Sequence, residues 1–137
     1  MALANEILGL ITDIHDSLRA HGETLSTAES LTAGGLSHAL TIVPGASDVF
    51  LGSITAYRPE IKVSHLGVDE SVIAERTVVS EEVAIEMARG ANKSFGSSWA
   101  IATTGVAGPG PADGSAAGRV FVAFVGPVVQ VIELSLS

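Results

Sequence analysis

The segment STAESLTAGG, residues 26–35, places a serine between a run of small and β-branched residues and a pair of glycines. The pattern predicts a strand that ends near Ser30 and a helix that begins there. Backbone N–H groups and the positive end of the helix dipole favour an anion or an oxyanion at such a junction. Ser30 is therefore a candidate nucleophile. The alternative is that Ser30 or Thr32 only caps the helix, and the local pattern does not decide between these roles.

The acidic residue before this serine also has two interpretations. Glu29 could accept a hydrogen bond from a ligand, which would make it a binding residue. An acidic residue just ahead of a helix ordinarily complements the helix dipole, which would make it a structural residue. Its position in the sequence leaves both roles open.

A second candidate group lies in AYRPEIK, residues 56–62, which contains the only tyrosine of the chain, Tyr57. Pro59 predicts the first turn of a helix, so Lys62 lies one turn into that helix, near enough to Tyr57 to border the same pocket. A lysine whose charge is disfavoured by burial or by a neighbouring cation such as Arg58 can act as general base for a hydroxyl. Serine–lysine pairs are an accepted alternative to histidine triads. An aromatic ring at a sheet edge and a solvated lysine are the non-catalytic alternative.

A glycine-rich segment, TTGVAGPGPADGSAAG at residues 103–118, carries five glycines. Glycines let backbone amides approach a phosphate or a planar ring closely. The loop is longer than most connections in compact domains, and such long loops are usually functional. It matches neither the dinucleotide nor the triphosphate fingerprint. We therefore expect a ligand here, with a flexible turn as the alternative.

Several classes of site are excluded or disfavoured by residue types. The chain has no cysteine, which excludes disulfides, thiolate nucleophiles and cysteine zinc sites. Its four histidines lack the H-x-x-x-H spacing of a metal site, and His15 and His21 are expected on the surface of the first helix. No Ser-His-Asp triad follows from the spacing, and G-x-S-x-G is absent. We expect no metal.

The charge and hydropathy of the chain also limit its partners. A formal net charge of −8 opposes docking on a polyanion, so we expect no binding to nucleic acid. The N-terminal segment MALANEILGL lacks a basic leader, and the longest apolar run is about half of the ~20 residues that a spanning helix needs. The expectation is a soluble cytoplasmic protein without a membrane partner.

The elements that must position these residues alternate between helix and strand. The alternation predicts an α/β fold with a layered sheet, which a terminal hairpin makes mixed, and a single domain over residues 1–137. Apolar spacing, caps and turn residues predict helices over 3–20, 30–41, 59–67, 69–76 and 81–95. Strands are predicted over 24–28, 49–57, 98–104, 119–126 and 128–137, with 49–57 largely buried.

Five segments occur in a fixed order along the chain: A-E-S, V-P-G-A-S, A-Y-x-x-x-x-K, V-S-E-E-V-A and T-G-x-A-G-P. With these segments the chain resembles the CinA C-terminal domain family over residues 3–126. The resemblance implies a three-layer α/β/α sandwich. It also implies a PncC-type amidohydrolase that converts nicotinamide mononucleotide to nicotinic acid mononucleotide and ammonia in pyridine nucleotide salvage, with no metal or organic cofactor.

The family motifs carry over position by position. The serine of A-E-S falls on Ser30, the tyrosine and lysine of A-Y-x-x-x-x-K on Tyr57 and Lys62, and T-G-x-A-G-P on residues 104–109. Our hypothesis is that Ser30 attacks the amide carbonyl, Lys62 accepts its proton and Tyr57 relays a proton to the departing ammonia. Backbone amides at the start of helix 30–41 or in the 105–110 loop would hold the oxyanion. The residues expected to bind the small-molecule nucleotide are Glu29, Thr32, Gly34, Arg58, Thr104, Gly105, Ala107, Gly108 and Arg119, with the two arginines taking the phosphate.

The chain also departs from the family pattern. Leu31 stands where the family commonly has cysteine, and the loop PADGSAAG lacks the lysine that relatives carry. Relatives continue past the last strand into a closing helix, which predicts here an exposed sheet face and a homo-oligomer, first of all a dimer. Two other hypotheses stay open. One is a weakly active or inactive domain for nucleotide or protein binding, linked to competence or DNA damage; the other is a purely structural role, which predicts that Ser30, Tyr57 and Lys62 lie apart.

Overall fold

A computed structural model describes residues 2–136, so Met1 and Ser137, the two ends of the predicted domain, lie outside the described part. The helices are α1 (Ala2–Ala20), α2 (Gly35–Leu40), α3 (Pro59–Leu66), α4 (Glu70–Arg76) and α5 (Glu81–Phe95). The strands are β1 (Leu25–Glu29), β2 (Phe50–Thr55), β3 (Trp99–Gly105), β4 (Arg119–Val125) and β5 (Val129–Ser135). None of the helices in the described residues is long and apolar enough to cross a membrane.

The five strands form one mixed sheet in the order β2-β1-β3-β4-β5. β1 pairs in parallel with both β2 and β3, whereas β3, β4 and β5 are antiparallel neighbours. The chain leaves β1 towards β2 on one side and later returns to β3 on the other side. Ligands of α/β sheets bind at the carboxyl ends of strands where the chain order reverses in this way, so the topology directs attention to the ends of β1 and β3.

Helices cover the sheet on two faces, as the three-layer prediction requires. The larger core lies under α3, α4 and α5, where Val83 and Met87 of α5 pack with alanines such as Ala28 and Ala102 of the strands. The smaller core on the opposite face joins Leu18 of α1 with residues of β1 and α2. Because the alanines are small, α5 can lie close to the sheet and bury its apolar stripe fully.

The position of α3, which carries Lys62, depends on its packing against α5. α5 begins as predicted, because the Ser80 hydroxyl caps it by accepting a hydrogen bond from the amide of Val83. Gly90 lies directly against the backbone carbonyl of Leu66 at the end of α3, where a Cβ would collide with that oxygen. The glycine therefore allows the two helices to approach closely and fixes α3 over the end of the sheet.

Two predicted elements differ from the structure. The helix predicted over 30–41 begins only at Gly35, because Ala33 and Gly34 have positive φ angles of 50° and 98° that interrupt a right-handed helix. The strand predicted as largely buried over 49–57 is β2, which is only half-buried because it lies at the sheet edge and has one neighbour. The remaining helices and strands lie where the sequence predicts them, within two residues at most ends.

The packing face of α1 also differs from the prediction. The buried residues of this helix are Ile11, His15 and Leu18, so His15, expected on the surface, is only 2% exposed. The spacing of four and three residues places these side chains on one face. Ile14, in contrast, lines an apolar groove of about 500 Å³ that also contacts Trp99 and Phe124 of the sheet.

Candidate active site

A cavity of about 270 Å³ lies at the carboxyl ends of β1 and β3. Ser30 follows the last residue of β1, and Thr104 and Gly105 end β3. Lys62 enters from α3, and the glycine-rich loop after β3 forms the remaining wall. The cavity therefore lies at the crevice that the strand order indicates.

The side chains of Ser30 and Lys62 meet in this cavity. The Lys62 Nζ atom lies 2.8 Å from the Ser30 Oγ atom, and it also donates to the carbonyl oxygens of Ala56 and Tyr57 at 2.8 and 3.1 Å. The three acceptors account for the three hydrogens of an ammonium group and hold it in one place. The pair has the geometry that a nucleophile and its base require. The convergence contradicts the purely structural hypothesis.

Burial gives Lys62 an unusual acidity. The residue is 1% exposed, which contradicts the interpretation as a solvated surface lysine. Burial lowers the pKa of Lys62 from 10.5 to about 8, although the negative charges of Asp113 and Glu60 oppose the shift. A lysine with a pKa near 8 has a substantial neutral fraction near neutral pH, and only the neutral amine can accept the proton of a serine hydroxyl.

The turn after Ser30 is held by the carboxylate of Glu29. Oε1 accepts from the Thr32 hydroxyl and from the amides of Gly34 and Leu36, and Oε2 accepts from the amide of Ser37 at 2.8 Å and from nearby hydroxyls. Burial opposes ionisation of this group, but the hydrogen bonds outweigh it and lower the pKa of Glu29. Glu29 is fully buried and does not line the cavity. Its role is the dipole-complementing alternative rather than ligand binding.

The same hydrogen bonds decide the position of two other predicted binding residues. The hydroxyl of Thr32 contacts Glu29 and, at 2.8 Å, the hydroxyl of Thr103, and Gly34 donates its amide to Glu29. Neither residue lines the cavity, so both support the turn rather than contact a ligand. Ser30 is not a helix cap either, because Gly34 holds that position at α2.

Several residues that line the cavity have a backbone amide without a protein acceptor. In the part of the chain that the structure describes, no hydrogen bond engages the amides of Leu31, Ala107 or Gly108, and all three residues line the cavity. The amide of Ser30, in contrast, donates to the carbonyl of Thr103. Unpaired amides beside a nucleophile are suited to stabilising an oxyanion. They come from the turn and the loop, not from a helix that begins at residue 30.

The glycine-rich loop is anchored at both ends. The Thr104 hydroxyl donates to the carbonyl of Val78 at 2.9 Å, and the amide of Val106 donates to the carbonyl of Arg119. Ala112 and Ser115 form a short antiparallel bridge within the loop. These bonds position the predicted residues Thr104, Gly105, Ala107 and Gly108 along the cavity wall.

The predicted proton relay and the two predicted phosphate ligands lie in three different places. Tyr57 lines the cavity but is 63% exposed, so its ring lies at the mouth. Arg58 is exposed and forms an ion pair with Glu60 at 2.6 Å, and it does not line the cavity. Arg119 lines an adjoining cavity, where it pairs with Glu133. The structure therefore does not bring the two predicted phosphate ligands to Ser30.

Sequence reasoning missed some residues of the cavity. Asp113 is the most important of them, because it brings a negative charge close to Lys62. Asp113 lies in the glycine-rich loop where the sequence predicts a ligand. An acidic side chain in that loop was the signal that could have identified it. Val78 and Val79, which precede α5, also line the cavity; Val79 begins the V-S-E-E-V-A segment, but nothing in that segment indicates contact with a ligand. Among residues 2–136 there is no group of three or more histidine or acidic side chains that could hold a metal ion.

The sequence matches a known protein family over most of its length. The model of the CinA C-terminal domain matches residues 8–135. A CinA-like protein of Synechococcus sp. is 44% identical over 119 residues, which cover 86% of this chain and 28% of the relative. A CinA-like protein of Frankia casuarinae is 40% identical over 126 residues, covering 92% of this chain and 28% of the relative. The chain thus spans less than a third of the length of these relatives.

Solved structures give the same result for the fold. A CinA superfamily protein from Escherichia coli superposes with a TM-score of 0.92 at 30% identity, covering 96% of this chain and 77% of that one. The competence damage-inducible protein A of Klebsiella pneumoniae superposes with a TM-score of 0.91 at 30% identity, covering 96% of this chain and 83% of that one. The α/β/α arrangement predicted from the sequence is the fold of these proteins.

Proposed function

We propose that this chain, which belongs to the CinA C-terminal domain family, is an amidohydrolase that deamidates nicotinamide mononucleotide to nicotinic acid mononucleotide and ammonia. The observation that carries the proposal is the contact of 2.8 Å between Lys62 Nζ and Ser30 Oγ inside a cavity. The lowered pKa of Lys62 supports it, because the amine can then lose its proton without a strong base.

In the proposed first step, the neutral amine of Lys62 removes the proton of the Ser30 hydroxyl while Oγ attacks the carboxamide carbon. The carbonyl oxygen becomes an oxyanion, which accepts hydrogen bonds from amides such as those of Leu31 and Ala107. The C–N bond then breaks, and the proton held by Lys62 reaches the leaving nitrogen, relayed by the hydroxyl of Tyr57. Ammonia leaves and Ser30 carries an acyl ester.

In the second step, Lys62 removes a proton from a water molecule that attacks the ester. The bond between Oγ and the acyl carbon breaks, Oγ recovers the proton from Lys62, and the product acid releases its remaining proton to solvent and leaves as a carboxylate. The enzyme returns to its starting state without a metal or an organic cofactor. The carbonyl oxygens of Ala56 and Tyr57, which accept hydrogen bonds from Lys62 Nζ, keep the amine within reach of Oγ through both steps.

The test is ammonia release from nicotinamide mononucleotide by the purified chain. We expect Ser30→Ala to lower kcat/KM at least about 10³-fold, because the nucleophile is lost. Ser64→Ala, which removes an exposed hydroxyl from the helix of Lys62, is the matched control and should retain the activity of the wild type.

Two results would contradict the proposal. Undiminished turnover by Ser30→Ala would exclude Ser30 as the nucleophile. Calorimetric binding of the nucleotide by the wild type without product after long incubation would favour a binding domain instead.

A further inference from the structure

Asp113 lies between two cavities. It lines the cavity of Ser30 and Lys62, and it also lines an adjoining cavity of about 450 Å³ that lies before the N-terminus of α5. Val79 is the other residue that the two cavities share. A ligand that extends from one cavity into the other therefore passes Asp113 and Val79, of which only Asp113 is charged.

The carboxylate of Asp113 is available for a ligand. No hydrogen bond or ion pair within residues 2–136 engages it. Lys62, the other charged side chain of the first cavity, already has three acceptors for its three hydrogens. A carboxylate accepts hydrogen bonds and cannot donate them when ionised, so its natural ligand carries hydroxyl or amide hydrogens or a positive charge.

The adjoining cavity contains two candidate cations for a phosphate. Arg76 and Arg119 line it, together with the acidic side chains of Glu81, Glu82 and Glu133. Arg119 also lies 5.0 Å from the centroid of the Phe121 ring, which holds its guanidinium in place. The order is therefore the cavity of the Ser30–Lys62 pair, then Asp113 at the boundary of the two cavities, then the cavity that the two arginines line.

The proposed substrate has its chemical groups in the same order: a carboxamide on a pyridinium ring, a ribose with two neighbouring hydroxyls, and a phosphate. We propose that the carboxylate of Asp113 binds the ribose hydroxyls of this nucleotide, an inference that rests on the proposed function. With the carboxamide at Ser30, the ribose reaches Asp113 and the phosphate points into the cavity of Arg119. The positive charge of the pyridinium ring faces the same carboxylate. Asp113 is thus a specificity residue for the sugar.

The experiment compares Asp113→Asn with the wild type on nicotinamide mononucleotide and on nicotinamide riboside, which lacks the phosphate. Asparagine tolerates the φ of +50° at this position, so the loop keeps its conformation. We expect KM to rise about tenfold or more for both substrates, since the variant loses the charge and one of the two acceptor oxygens that the ribose hydroxyls would use. Free nicotinamide, used as a competitive inhibitor, should keep its inhibition constant within about twofold, because it has no ribose.

Asp13→Asn is the matched control, since it removes the same charge from the apolar groove beside α1. It should leave all three constants unchanged. A rise in the inhibition constant of free nicotinamide as large as the rise in KM would overturn the proposal, because Asp113 would then act through Lys62 or the pyridine ring. Unchanged KM values for the two ribosylated substrates in Asp113→Asn would also overturn it.

Failure of the proposed function is a separate outcome. If the wild type hydrolyses neither substrate, titration calorimetry with nicotinamide riboside tests the ribose contact alone. A Kd about tenfold or more weaker in Asp113→Asn supports the contact. An equal Kd, or no binding of nicotinamide riboside by the wild type, overturns it.

Discussion

Glu29 and Ser30 are neighbours at the end of β1, yet each belongs to a different buried polar group. The Glu29 cluster consists of one carboxylate and the hydroxyls and amides that donate to it, from residues 27, 32, 34, 36, 37 and 53. The Ser30–Lys62 pair consists of one amine and one hydroxyl that faces a cavity. The first group is closed to ligands, and the second is open on one side.

The difference lies in how fully each charge is compensated. Both oxygens of Glu29 accept several hydrogen bonds, which favour its charged form and lower its pKa despite burial. Lys62 has only neutral oxygen acceptors at Nζ, so burial dominates and lowers its pKa to about 8. A saturated charge stabilises structure, whereas an undercompensated charge can gain and lose a proton. Of two adjacent residues, Glu29 therefore supports the turn, and Ser30 faces the cavity with a lysine that can exchange a proton.

Removal of the amine is expected to have the largest effect on activity. Lys62→Met should lower kcat/KM by about 10²–10⁴-fold, the usual contribution of a general base. The free energy of unfolding should change by about 1 kcal/mol or less, because loss of a buried charge offsets two carbonyls left without a donor. Steady-state kinetics and urea unfolding measure the two effects. Lys93→Met, on the exposed side of α5, is the control and should alter neither.

The carboxylate should show the reverse pattern, with a large loss of stability. Glu29→Gln places an amide NH₂ where only donors point, whichever way the side chain is turned. We expect the free energy of unfolding to fall by about 2–4 kcal/mol, because several buried donors lose an acceptor. Activity should fall with it, since the turn that holds Ser30 loses its support.

Urea unfolding of Glu29→Gln checks this, with Glu6→Gln on exposed α1 as the control for loss of one negative charge. The control should stay within about 0.5 kcal/mol of the wild type. If Glu29→Gln unfolds like the control, the Glu29 cluster does not hold the turn, and the contrast between the two groups disappears.

The dependence of kcat/KM on pH should be a smaller effect than the loss of the Lys62 amine. Lys62 must be neutral to accept a proton, so kcat/KM should rise about tenfold per pH unit below pH 8 and level off above it. Tyr57→Phe removes the phenol hydroxyl at the cavity mouth, and its pH profile should still level off near pH 8. A profile that is flat between pH 6 and about 9 would assign the base to another group.

The same shift of the Lys62 pKa affects stability. Between pH 8 and 10.5 the unfolded chain holds the proton of Lys62 and the folded chain has released it. The contribution of Lys62 to the free energy of unfolding therefore rises with pH in this window. Unfolding of the wild type should show this rise relative to Lys62→Met.

Much of the fold could be predicted because it depends on local rules. Ser80 before two glutamates predicts the start of α5, and Pro59 and Gly67 predict the two ends of α3. The start of α2 could not be predicted, because the carboxylate of Glu29 and the left-handed backbone of Ala33 shift it to Gly35. The burial of His15 also depends on what packs against α1, which periodicity does not state.

The sequence alone identified the candidate catalytic residues, because a serine, a tyrosine and a lysine occur in ordered motifs that can be read whatever the fold. Only the tertiary structure decided which of them meet. It brought Lys62 to Ser30 across 32 positions, and it turned Arg58 outward and left Asp113 as the charged neighbour of the pair. The physical reason is that burial and long-range contacts set the charge of a side chain, and its neighbours in the sequence determine neither of them.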